Sequence, residues 1–303
     1  MKAVKNIFEY ESSLPSVVTI GKFDGIHLGH RELVRCVKTF ADTCGREVNT
    51  VLFSFDMAQV YLLTHKERRK LLEHQGIRTV VECPFTPEII TMEAEDFIRK
   101  ILADRLHAVH VVVGPDFHFG YGRRGDAHLL EQMGEELGFS VEVVPEVEYE
   151  NEKISSTRIR NCVSEGNMED ASGMLGYPYF VTGQVIHGRH LGRTIGVPTA
   201  NMIPGKKKLL PPNGVYCTIS KIGDKKYPGI TNIGTKPTVD GQFIGVETYL
   251  FSFDGDVYGE TEEVRLLHFV RPEKKFESLE LLREQISQDH AVGEAYFRDN
   301  GIL

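Results

Sequence analysis

Short apolar runs rich in valine, isoleucine and phenylalanine recur through the first half of the chain, at residues 17–20, 50–55, 79–83, 109–113 and 140–144. Runs of this kind predict strands buried on both faces. Helical periodicity fills the intervals, at 29–41, 66–74, 95–106 and 127–137. In the third of these, Phe97, Ile98, Ile101, Leu102 and Leu106 fall on one face. Strand and helix in alternation predict a parallel, doubly wound α/β sheet. Ligands of such sheets bind at the carboxyl ends of the strands, which directs attention to the loops after Ile20 and Val113.

Beyond about residue 180 the pattern changes to short strands with turn signals, at 180–186, 215–222, 227–233, 245–253 and 258–269. Gly223-Asp224 predicts one hairpin and Asp254-Gly255 another. Helical period returns only at 278–289, so this half reads as a small antiparallel β-barrel with a C-terminal helix. Glycines and a Tyr-Pro pair at 173–178 mark the join, giving domains 1–178 and 179–303. There is no internal repeat and no low-complexity tract, and Lys206 to Lys208 read as a solvated loop.

A length of 303 residues suits two domains, and 41% hydrophobic with 26% charged residues is the composition of a folded, soluble protein. The formal charge of -8 provides no basic field for a nucleic-acid backbone, so anionic ligands must be held by local groups. Five scattered cysteines without a C-x-x-C pair predict neither a disulfide framework nor a zinc site, and fit a reducing cytoplasm. Residues 1–20 carry acids and a proline instead of a continuous apolar run, so neither a signal peptide nor a membrane anchor is expected. No feature speaks to oligomeric state.

Three segments of the first domain carry chemistry. Gly21-Lys22-Phe23-Asp24-Gly25-Ile26-His27-Leu28-Gly29-His30 joins a buried strand to a helix. Gly21, Gly25 and Gly29 permit tight turns and close ligand approach, and a helix start offers free N–H groups to an anion. His27 and His30 can both donate to an oxyanion forming above that turn. The alternative, histidines that only cap the helix, suits an isolated H-x-x-H better than one set between strand, glycines and helix. In residues 114–126, Asp116, Phe117, Phe119 and Tyr121 stand with Arg123 and Arg124, a stacking surface and charge for a nucleotide or flavin, or else a loop with buried aromatic anchors. In residues 154–160, Ser155 or Ser156 can cap a helix, and hydroxyls with Arg160 can hold phosphates at its N-terminus.

G-x-F-D-G-x-H-x-G-H, G-x-D-F-x-F-G and I-S-S-T-R-I-R, in this order, resemble the adenylyltransferase module of prokaryotic bifunctional FAD synthetases. The resemblance implies a Rossmann-like nucleotidyltransferase domain that transfers AMP from ATP to FMN. It also implies that His27 and His30 stabilise the transferring phosphate, that Gly21, Phe23, Gly25 and Gly29 lie at the ATP site, and that Ser156, Thr157 and Arg160 hold the triphosphate. Asp116, Phe117 and Phe119 would meet the flavin. The family's F-x-P-H-P element is missing, this chain reading Phe53-Ser54-Phe55-Asp56-Met57-Ala58-Gln59, and Lys22 replaces a frequent asparagine.

In the second domain, residues 183–201 combine a strand, a basic loop punctuated by Gly188, Gly192 and Gly196, and Pro198-Thr199-Ala200-Asn201. The loop suits a flap over phosphates but lacks the Gly-Lys-Ser/Thr of a P-loop. Thr199 and Asn201 offer hard oxygen donors suited to Mg²⁺. Glu247 stands in a β run, either facing solvent by alternation or aimed into a cleft as a base. With residues 212–216, 232–238, 246–250 and 271–276 the pattern is similar to riboflavin kinase, which makes Glu247 the base for the riboflavin 5′-hydroxyl. The expected whole is a bifunctional enzyme using ATP, Mg²⁺ and flavins, with no nucleic-acid or membrane partner. A second reading makes the first domain a nucleotide- or flavin-binding regulatory module of little turnover. A third, a flavin- or RNA-binding regulator, is opposed by the acidic balance.

Overall fold

The computed structural model describes residues 1–56, 60–187, 199–238 and 241–303, with the backbone alone for 236–238 and 241–243. It forms two compact units, Met1–Ser156 and Thr157–Leu303.

The first unit is built on six parallel strands: β1 (Lys2–Val4), β2 (Ser16–Gly21), β3 (Asn49–Asp56), β4 (Thr79–Pro84), β5 (Ala108–Val113) and β6 (Ser140–Val143), in the order β1-β4-β3-β2-β5-β6. The five predicted strands are present, and β1 is an addition at the edge beside β4. The helices are α1 (Leu28–Thr43), α2 (His65–Glu73), α3 (Pro87–Ile90), α4 (Ala94–Asp96), which runs on as a π-helix over Phe97–Ala103, and α5 (Ala127–Leu137). β7 (Glu148–Tyr149) and β8 (Glu152–Lys153) make a small hairpin.

Strand pleating divides the side chains between two layers. Val18, Ile20, Val51, Phe53, Val111 and Val113 join Phe97, Ile98, Ile101 and Leu130 in one core. The alternate residues Val17, Thr19, Leu52, Val80 and Val112 are buried on the opposite face with Val34, Val37 and Leu72 of α1 and α2. β2 is flanked by β3 on one side and β5 on the other. The strand order therefore reverses at β2, which opens a crevice above its carboxyl end.

α6 (Ser156–Glu165), which belongs to the second unit from Thr157 on, and α7 (Met168–Leu175) precede a closed, wholly antiparallel barrel of six strands. These are β9 (Phe180–Ile186), β10 (Thr199–Met202), β11 (Gly214–Ile222), β12 (Lys225–Thr238), β13 (Gly241–Leu250) and β14 (Thr261–Pro272), ordered β10-β13-β12-β11-β14-β9. The Gly223-Asp224 hairpin is present, with Ile222 opposite Lys225. The Asp254-Gly255 hairpin is not: β13 has β10 and β12 on its two edges, so β14 pairs with β11 and β9 instead. The C-terminal helix, Leu279–Asp299, extends past the predicted 289 and seats Phe297 on Val215, Cys217, Ile230 and Phe251. Contacts group α6 and α7 with the barrel, whereas composition set the join at 178/179.

Candidate functional site

The loop between β2 and α1 is held in a shape that an ordinary sequence resists. Phe23, Gly25 and Ile26 all have positive φ, at 46°, 94° and 43°. Phe23 and Ile26 accept the strain while wholly buried, so packing enforces it. Hydrogen bonds fasten the loop from outside: Ser54 Oγ donates to the Lys22 carbonyl (2.9 Å), the Leu62 N–H to Asp24 Oδ1 (2.9 Å), and Ser156 Oγ to the Asp24 carbonyl (2.8 Å). The last lies within the first unit and is made by its final residue.

His27 is the N-cap of α1, its Nδ1 accepting from the His30 N–H at 3.4 Å. That bond requires a lone pair on Nδ1 and places the ring proton of the neutral imidazole on Nε2. The two rings stack at 3.6 Å between centroids, and Phe23 lies 4.9 Å from His30. Close stacking needs Gly29, where a Cβ would come within 3.3 Å of the His27 ring. Burial lowers the His27 pKa to about 4. Burial, then the neighbouring His27 and Arg68, hold His30 well below the ordinary imidazole value. Both rings are therefore neutral N–H donors at physiological pH. His30 Nδ1 is buried without a hydrogen-bond partner among the described residues.

In the loop after β5, Asp116 is exposed and bound by Lys153 Nζ at 2.7 Å, which holds its carboxyl below the usual range. Phe117 stacks at 5.3 Å on Phe119, which is buried against Phe97 in the sheet core. Thr157 and Arg160 lie in the first turns of α6, in the second unit. Of the altered element, Phe55 packs among Phe53, Phe85 and Phe97, and Asp56 accepts from the Tyr61 hydroxyl and faces His65 Nε2 at 3.3 Å. Residues 57–59 lie outside the described residues, as do Gly188, Gly192 and Gly196.

The barrel brings its three predicted residues together. β10 pairs with β13 so that Asn201 stands opposite Glu247. Thr199 Oγ1 donates to Glu247 Oε1 (2.7 Å) and accepts from Asn201 Nδ2 (3.2 Å). With its Nδ2 turned to Thr199, Asn201 keeps its amide oxygen as a hard donor. No group of three or more His, Cys, Asp or Glu suited to a metal occurs among the described residues.

Relatives of this chain share both halves. The Escherichia coli K12 protein named bifunctional riboflavin kinase/FMN adenylyltransferase is 35% identical over 290 residues, covering 93% of this chain and 92% of that one. The chain belongs to this family. The FAD synthetase family model matches residues 10–158 and the riboflavin kinase model residues 175–297, so the histidine loop falls in the first and Glu247, Thr199 and Asn201 in the second. The Pseudomonas fluorescens member is 34% identical, with 92% of each chain covered. A crystal structure described as a macrolide-efflux protein from Streptococcus pneumoniae is 32% identical, with a TM-score of 0.85 over 96% of this chain and 98% of that one. Among the described residues no helix is long and apolar enough to cross a membrane.

Sequence reading missed Arg68, Ser54 and Glu82, which meet beneath the loop. Arg68 Nη1 donates to Ser54 Oγ (3.0 Å) and Nη2 to Glu82 Oε1 (3.3 Å). The signal was present in α2, where helical period puts Arg68 on the face of the buried Leu72.

Proposed function

We propose that this chain transfers the γ-phosphoryl group of ATP to the riboflavin 5′-hydroxyl, and then the AMP of a second ATP to FMN, yielding FAD and pyrophosphate. The observation that carries the reading is the stacked, neutral His27–His30 pair at the start of α1, above the carboxyl end of the strand where sheet order reverses. In adenylyl transfer an FMN phosphate oxygen attacks the α-phosphorus of ATP and pyrophosphate leaves. His27 and His30 donate N–H bonds to the charge that gathers on the phosphoryl oxygens, and Gly21, Phe23, Gly25 and Gly29 shape the backbone around them. Ser156, Thr157 and Arg160 hold the β- and γ-phosphates. Asp116 and Phe117 face the flavin, with Phe119 anchoring their loop from the core.

In the kinase domain, Glu247 takes the proton of the 5′-hydroxyl as its oxygen attacks the γ-phosphorus. The Thr199 bond to Oε1 orients that carboxylate. Mg²⁺ would be held by the oxygens of Thr199 and Asn201 and, when bound, neutralises phosphate charge. Gly188, Gly192 and Gly196 cover the nucleotide. We assign the adenylyltransferase to residues 1–178 and the kinase to 179–303. Five unpaired cysteines support a cytoplasmic setting.

The second reading, a regulatory first domain of little turnover, draws on the altered residues 55–59. Against it stand the intact histidine pair and the packing of Phe55 and Asp56 into ordered contacts. Purified protein given FMN, ATP and Mg²⁺ decides between them: FAD with equimolar pyrophosphate supports an adenylyltransferase, and neither product supports the regulatory module.

A further inference from the structure

We propose that Arg68 is a positioning residue for adenylyl transfer, acting through the Lys22 carbonyl and His30; the inference rests on the adenylyltransferase reading above. At the carboxyl edge of the sheet Gly21, Ser54 and Glu82 are register partners on β2, β3 and β4. Arg68 of α2 lies over this row, buried to 3% exposure, with Glu82 at 2%. Its guanidinium spans the row. Nη2 holds Glu82, and Nη1 donates to Ser54, whose hydroxyl donates in turn to the Lys22 carbonyl inside the histidine loop. An unbroken chain of hydrogen bonds thus runs from a buried carboxylate to the backbone that shapes the phosphate site.

A buried ion pair is weak evidence for stability, because well-packed apolar residues commonly do as well. This pair is also elaborate. Glu82 accepts His65 Nδ1 at 2.9 Å and Arg69 Nη1 at 3.3 Å as well as Arg68. Burial works to raise the Glu82 pKa, but the His65 hydrogen bond and the charges of His65, Arg68 and Arg69 outweigh it and leave the carboxyl below its usual value. Glu82 is therefore a fixed anion and Arg68 a fixed cation. Among the described residues, the titratable and charged groups acting on His30 are His27, the N-cap of its own helix, and Arg68 on α2. Arg68 thus does two things: it ties down the loop, and its charge keeps a proton off His30. Arg68 Nε, like His30 Nδ1, is buried without a partner among the described residues.

The test is steady-state FAD formation from FMN and ATP between pH 5 and 9 by wild type, Arg68→Gln, Arg68→Lys and Ser54→Ala. Arg68→Gln is expected to lower kcat by about thirtyfold or more with KM for ATP within about threefold, as loss of preorganised geometry should. Its activity should also fail at higher pH on the acid side than that of wild type. Arg68→Lys restores the cation without the two-armed bond, so it should recover the acid limb but only part of kcat. Ser54→Ala keeps the buried charge and cuts the link to Lys22, and is expected to lower kcat about tenfold with an unmoved acid limb. It decides the loop role should Arg68→Gln fail to fold. Kinetics within threefold of wild type for Ser54→Ala, or an acid limb indifferent to residue 68, would overturn the proposal. Wild type that forms no FAD would instead overturn the reading on which it rests.

Discussion

Glu262→Gln probes the barrel interior through a group outside the proposed chemistry. In β14, alternation turns Glu262, Val264 and Leu266 inward, all at 0% exposure. Glu262 Oε1 accepts from Ser220 Oγ at 2.6 Å, and the Thr248 hydroxyl, which ends a chain with Thr231 and Thr218, also favours the charged carboxylate. Oε2 has no partner among the described residues. Burial dominates, raising the pKa from 4.5 to about 7, with the two hydroxyls opposing it. Because the folded value exceeds the unfolded one, the folded state binds the extra proton. The stability this confers is complete below pH 4.5 and is lost as pH rises to about 7. At about 1.4 kcal/mol per pH unit the loss is about 3 kcal/mol. Glutamine carries no charge at any of these pH values, though its amide at the Oε2 position costs about 1 to 3 kcal/mol independently of pH. The diagnostic is therefore the difference between variant and wild type at two pH values. By differential scanning calorimetry, the barrel transition of Glu262→Gln should gain about 5 to 10 °C relative to wild type between pH 5 and pH 8.5. An equal offset at both values would refute the buried, readily protonated carboxyl.

Three further outcomes follow from the two sites. His30→Ala should lower FAD formation by about two orders of magnitude while leaving FMN formation from riboflavin nearly intact, as the loss of one transition-state donor does; equal loss of both activities would mark a folding defect. Glu247→Gln should abolish riboflavin phosphorylation yet leave FAD synthesis from supplied FMN, both followed by flavin chromatography. With His27 at about 4 and His30 also depressed, wild-type adenylyl transfer should show no titration near pH 6.5 on its acid side, and a midpoint there would contradict the neutral pair.

The two architectures were legible because their hydrophobic periods differ so plainly: unbroken valine-rich runs separated by helices, then short strands separated by turns. What escaped is instructive. β1 has three residues and β10 four, too few to show a period, so the strand that sets Thr199 and Asn201 beside β13 was not foreseen although both residues were singled out. The supposed hairpin at Asp254-Gly255 obeyed local turn chemistry, but barrel closure had already filled both edges of its first strand. The histidine pair was visible in its glycine context, whereas its stacking depends on a loop strained at Phe23 and Ile26, which no local preference announces. Arg68 and Glu262 were missed for one reason: charged residues are read as solvent-facing even where the period places them inside, beside Leu72 and Val264.

The claim that one chain performs both transfers is tested most directly by following phosphorus. Purified protein is incubated with riboflavin, Mg²⁺ and ATP labelled at either the α- or the γ-phosphorus, and the flavins are separated. The account predicts FMN labelled from γ alone and FAD labelled from both, with the α label entering only at the second step. FMN labelled from γ without any α-labelled FAD would contradict the adenylyltransferase, and an absence of label in every flavin would contradict both activities.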